Sequence, residues 1–126
     1  MRHKAPRERT GDKRKEKPGF AARRAAVQIL RAVLEERHQL SDLTGPNGPL
    51  AALSGPDRAR AQRLATTTLR HLDRADLVLS QFMEHVPPHA ALAILRVAVV
   101  ELCQGGEAAH GVVDKAVKLM RRSSSA

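Results

Sequence analysis

Asp57-Arg58-Ala59-Arg60-Ala61, Thr68-Leu69-Arg70, Pro87-Pro88, Ile94-Leu95-Arg96-Val97-Ala98-Val99-Val100-Glu101-Leu102 and His110-Gly111-Val112-Val113-Asp114-Lys115-Ala116-Val117 follow one another in the second half of this chain. The blocks other than Pro87-Pro88 lie in stretches of helical spacing, and Pro87-Pro88 and Gly105-Gly106 fall where a helix must stop. Ser54-Gly55-Pro56-Asp57 supplies a start: Ser54 caps, Pro56 needs no donor, and Asp57 favours the dipole. The helix that follows runs to about His71, with Ala61, Leu64, Ala65, Thr68, Leu69 and Leu72 on one side. A third helix spans Asp73 to His85 and packs Leu77, Leu79, Phe82, Met83 and Val86 before Pro87-Pro88 ends it. The fourth, His89 to Gln104, is apolar nearly all round and reads as the central one. The fifth covers about Ala109 to Arg122, with Val113, Ala116, Val117 and Met120 inward.

Upstream, Ala22, Ala26, Ile29, Val33 and Leu40 recur at helical spacing, placing a first helix from Phe20 to about His38, while Thr44 to Pro49 is a loop. The composition agrees with helices: 42% apolar but only 2% aromatic, so the core must be built from Ala, Leu, Val and Ile. The fold class is therefore all-α, a bundle of about five helices over residues 20–122. A basic arm over 1–19, disordered when free, precedes it, and a frayed terminus over 123–126 follows. Of the net charge of +9, residues 1–24 carry +7, ten Lys and Arg against three acids, which leaves +2 for the rest. A basic arm ahead of a nearly balanced domain points to a polyanionic partner.

The order of these blocks resembles the NusB-like helical RNA-binding domain, in the version found at the N-terminus of ribosomal RNA cytosine methyltransferases of the RsmB (Sun) group. The likeness covers roughly residues 20–120, with the Leu-Arg…Glu-Leu and Val-Asp-Lys-Ala-Val helices as its most specific parts. It implies a domain that docks RNA, ribosomal RNA above all, for a linked methyltransferase, or alternatively an antitermination and protein-interaction module; a helical DNA-binding protein is the weaker rival that the basic charge leaves open. The family's last helix and its catalytic domain have no counterpart here, so the chain looks like an N-terminal fragment or a shortened gene product. Apolar surface near Val113 and Val117 would then be left for a protein partner or a second copy. S-adenosylmethionine belongs to that catalytic domain, and no cofactor is assigned to this chain. The resemblance also places an RNA contact at Arg23 and Arg24, ahead of helix one.

Electrostatics adds two groups. Lys13, Arg14, Lys15 and Lys17 of the arm offer phosphate-dominated affinity. Arg60, Arg63, Thr67, Arg70 and Arg74 stand at offsets of three, four, three and four, one face of one helix, although Arg74 falls near its end. That face is either a phosphate-binding row or a solvated surface paired with neighbouring acids. Arg96 and Glu101, inside an apolar helix, are costly unless paired and read as ties to other helices.

Nothing in the sequence builds a catalytic or metal centre. His85 and His89 have a metal-pair spacing, but the two prolines between them break the helix that would align them. His110 reads as a turn residue, Ser123 to Ser125 lack a base, and Gly105-Gly106 follows no strand. Cys103, the lone cysteine, reads as a small core residue. Residues 1–19 contain no apolar signal segment, and the run from Ala90 to Cys103 is too short and too charged to span a membrane. A cytoplasmic protein that is not an enzyme is the expectation.

Overall fold

The computed structural model describes residues 19–104 and 109–125. Among them stand six helices and no strand: α1 Phe20–Glu35, α2 Leu40–Leu43, α3 Gly55–Arg70, α4 Leu72–Ser80, α5 His89–Gln104 and α6 Ala109–Ser125. The α5 helix has the bounds its prolines and glycines predict and lies at the centre, packed by α1, α3, α4 and α6. The α1 helix is wedged between α3 and α5, so its two sides face two different clusters.

On one side Ala22, Ala25, Ala26 and Ile29 of α1 meet Ala61 and Ala65 of α3, with Leu50 closing the end. Alanines on both surfaces let the two helices approach closely, which suits a chain with almost no aromatic residues. On the other side Phe20, Val27 and Leu30 pack on Ala93, Ile94 and Val97 of α5 and on Leu119 of α6. Two ion pairs tie the frame. Arg96 of α5 donates two hydrogen bonds, at 2.7 and 2.9 Å, to the Asp76 carboxylate of α4. Arg23 of α1 grips Glu101 of α5 through both Nε, at 2.7 Å, and Nη2. The two half-buried charges of α5 are thus anchors to different helices, as their cost in an apolar helix requires.

Several elements differ from the sequence reading. The first helix stops at Glu35 rather than His38, because Arg37 takes a left-handed φ of 62° and the His38 N–H turns back to the Ala32 carbonyl at 3.0 Å. Leu40 therefore leaves the α1 stripe and joins the separate turn α2, the sixth helix. The α4 helix ends at Ser80 instead of His85, and Leu77 within it, like Phe82 and Val86 beyond it, is exposed rather than packed, Phe82 at 81%. Cys103 is exposed, not a core residue. In α6 the buried apolar positions are Val112 and Leu119, with Val113 and Val117 outside. That helix also continues through Ser125, past Arg122 where fraying was expected. The arm, with Lys13, Arg14, Lys15 and Lys17, lies outside the described residues except for its last residue, Gly19.

Candidate nucleic-acid interface

The α3 helix is set by both of its ends. Ser54 Oγ accepts a hydrogen bond from the Asp57 N–H at 3.3 Å, with Pro56 in the first turn. Arg58 reaches back to the Leu50 and Leu53 carbonyls, at 3.3 and 3.0 Å, and pins the preceding loop. This pinning holds Leu50 in the core and turns the opposite side of α3 to solvent. On that side Arg60, Arg63 and Arg70 are exposed, and none of them forms an ion pair with another described residue. Ten residues at 1.5 Å of rise spread the row over about 15 Å. Arg74 is not part of it, because α3 ends at Arg70 and Arg74 belongs to α4. It lines instead a cavity of about 190 Å³ between α4 and α5, beside His71, Val78 and Cys103.

A groove of about 290 Å³ runs between α3 and α5. Arg60 and Arg63 stand on one wall, Glu101 and Gln104 on the other, and Leu64 and Val100 line the apolar floor. The acid on that wall is already neutralised from inside, since Arg23, only 3% exposed, holds it. Arg60 and Arg63 therefore stand on the groove wall without an ion pair to Glu101. Arg23, which the resemblance placed at an RNA contact, is buried in this arrangement. Its guanidinium is spent on an internal ion pair and does not present charge to solvent.

The chain enters the domain at the same place. Gly19 has φ of 88°, and its carbonyl accepts the Arg23 N–H at 3.0 Å. A Cβ on Gly19 would lie 2.8 Å from Arg60 Nη1 and would overlap the Arg23 guanidinium. The arm is thus joined to the domain beside the first arginine of the row. One residue on, the buried Phe20 ring carries Arg24 at 5.4 Å and Arg122 of α6 at 4.6 Å over its π-system. Arg24 stays half-buried at this entry, over the Phe20 ring and not within the α3 row.

The outer face of α1 is different in kind. Arg31 donates two hydrogen bonds to Glu35, at 2.9 and 3.0 Å. That contact, more than the opposing burial, lowers the Glu35 carboxyl below its ordinary value and raises Arg31. A self-satisfied pair leaves this face without charge to offer, whereas the α3 face keeps three arginines without carboxylate partners. The sequence pointed to the α3 row directly. It gave no sign of Gln104 on the facing wall or of Arg122 over Phe20, because both depend on how α5 and α6 pack.

Among the described residues no three His, Cys, Asp or Glu side chains could hold a metal ion. No helix is long and apolar enough to cross a membrane. The model of the NusB family matches residues 21–126, which takes in nearly all the described helices. No curated protein and no solved structure matches the chain.

Proposed function

We propose that this chain, which belongs to the NusB family, binds ribosomal RNA along the arginine face of α3 and docks it for a cytosine methyltransferase domain of the RsmB type. Domains of this family bind RNA. The observation that carries the reading is the row Arg60, Arg63 and Arg70, exposed beside a groove whose acid Arg23 has already neutralised. Guanidinium groups without carboxylate partners are suited to phosphate, with several donors each. The apolar floor at Leu64 and Val100 gives an unpaired base a surface to lie on, but the groove has no aromatic platform. Affinity then rests on the backbone more than on base identity. Arg24 and the arm residues Lys13, Arg14, Lys15 and Lys17 extend the same positive field from the entry of α1. No reaction and no cofactor are assigned to this chain. Fluorescence anisotropy of a labelled ribosomal RNA hairpin, with duplex DNA as competitor, tests the partner class. Binding that excess DNA fails to displace supports RNA docking, and equal displacement by DNA sinks it.

A second reading, a protein-interaction module of the antitermination type, is favoured by one specific observation. Leu77, Phe82, Val86 and Val113 are all more than half exposed. Large apolar side chains in that number are more than a helical domain needs to leave in water. If Phe82→Ser with Val86→Ser abolishes capture of a protein partner while RNA binding is unchanged, the module reading leads. If partner capture persists, that surface is not the interface.

A further inference from the structure

The central helix α5 is not covered all round. Its Ala93, Ile94, Val97 and Val100 are buried in the core, whereas Ala91, Leu95 and Ala98 are half-buried and Leu102 is exposed. The last four recur at offsets of four, three and four, so they form one apolar stripe along the helix. The α4 and α6 helices both pack on α5, yet among the described residues they make no contact with each other. The stripe lies open between them. On one side stand Leu77 and Val78 of α4, with Val78 lining the same cavity as Val99 of α5. On the other stand the exposed Val113 and Val117 of α6. Eight large apolar residues are exposed among those described, and seven of them belong to α4, the loop after it, α5 or α6; only Leu34 belongs to α1.

Taken by their exposed fractions, these seven side chains leave on the order of 600 Å² of apolar surface in water. That is near the upper end for a monomer, and with a polar rim it approaches the roughly 800 Å² that each partner buries in a stable interface. The sequence outside the described residues has nothing to lay on this face, since residues 1–18 and 105–108 contain no Leu, Ile, Val or Phe. Charge points to what does cover it. Residues 72–86 hold Asp73, Asp76 and Glu84 against Arg74, net −2, while α6 holds Lys115, Lys118, Arg121 and Arg122 against Asp114, net +3. A face with an acidic wall and a basic wall is complementary to itself. A two-fold axis along the helices sets α4 of one copy against α6 of the other, twice, over the two α5 stripes.

We propose that the open face of α4, α5 and α6 is the contact surface of a homodimer, covered by the same face of a second copy of this chain. It draws on the apolar residues behind the protein-interaction reading, but it needs neither RNA nor a foreign protein.

Sedimentation equilibrium of the full chain tests it. The dissociation constant should be on the order of 10 µM, because the interface is of modest size with Phe82 as its single aromatic anchor. Leu77→Glu with Val117→Glu places charge on both walls at exposed positions and should weaken dimerisation at least tenfold. Leu34→Glu, at an exposed position on α1, should leave it within twofold. In the unmodified chain the amide signals of Leu77, Val113 and Val117 should move with protein concentration, while those of Arg60 and Arg63 on α3 stay fixed. A chain that remains monomeric well above that concentration overturns the proposal and leaves the face to a helix of another protein. A dimer that the double variant does not weaken, or concentration-dependent shifts confined to α3, overturns it too. None of these measurements contains RNA. Failure of RNA binding would therefore contradict the proposed function alone, and a monomer that binds RNA would contradict the dimer alone.

Discussion

Replacing Arg23 by alanine removes one half of a buried ion pair and strands the other. Glu101 keeps a side chain only 11% exposed, with no second described cation hydrogen-bonded to it. Breaking such a pair from one side costs about 3–5 kcal/mol, because the remaining charge stays desolvated. Some solvent reaches Glu101 from the groove, which places the expected loss near the lower figure, about 3 kcal/mol. Urea denaturation followed by circular dichroism should read this as a midpoint lowered by roughly 2 M, for a slope of about 1.5 kcal/mol per M. The double variant Arg23→Met with Glu101→Leu removes both charges and should lie within about 1 kcal/mol of the parent. RNA affinity in the double variant should stay within twofold, because the pair holds α1 on α5 and does not touch the ligand. A single variant that loses less than about 1 kcal/mol yet binds RNA tenfold more weakly would refute this reasoning and make Arg23 a contact residue.

Gly19→Ala should destabilise the fold by about 1–2 kcal/mol, since φ of 88° is unfavourable for alanine and its Cβ meets two guanidinium groups. A thermal melt checks it, and an unchanged melting temperature would mean that the entry to α1 can rearrange freely. Glu35 has its carboxyl lowered by the hydrogen bond from Arg31, so its contribution is present above the ordinary value of 4.5 and is lost as pH falls through the lower, folded value. Stability measured between pH 6 and about pH 3 should therefore fall less steeply in Glu35→Gln at the acid end. The effect is small for a partly exposed pair.

The helices most legible in the sequence were those with strong punctuation at both ends. Pro87-Pro88 and Gly105-Gly106 bracket α5, and Ser54-Gly55-Pro56 opens α3, so local chemistry alone placed them. The end of α4 was not legible, because Leu77, Phe82 and Val86 keep an apolar period that no neighbouring element rewards with burial. In α6 the adjacent Val112 and Val113 allow two apolar faces about 100° apart, and only the packing on α5 selects the one with Val112 and Leu119. Leu50 sits in a proline-rich loop without periodicity, and its burial comes from Arg58 holding two carbonyls of that loop. The same limit governs the site. The spacing of Arg60, Arg63 and Arg70 lies within one helix and could be read directly, whereas the partner of Arg23 is seventy-eight residues away. Its burial against Glu101 depends on the packing of α1 on α5.

The most direct measurement of the central claim is the salt dependence of RNA binding for the parent chain and for the triple variant Arg60→Ala, Arg63→Ala and Arg70→Ala. If each arginine neutralises one phosphate, the slope of log K against log salt should become shallower by about 2–3, with weaker binding at every salt concentration. Matching urea midpoints would show that the fold is intact. Identical slopes and affinities in the two proteins would contradict an RNA-binding role for the α3 face.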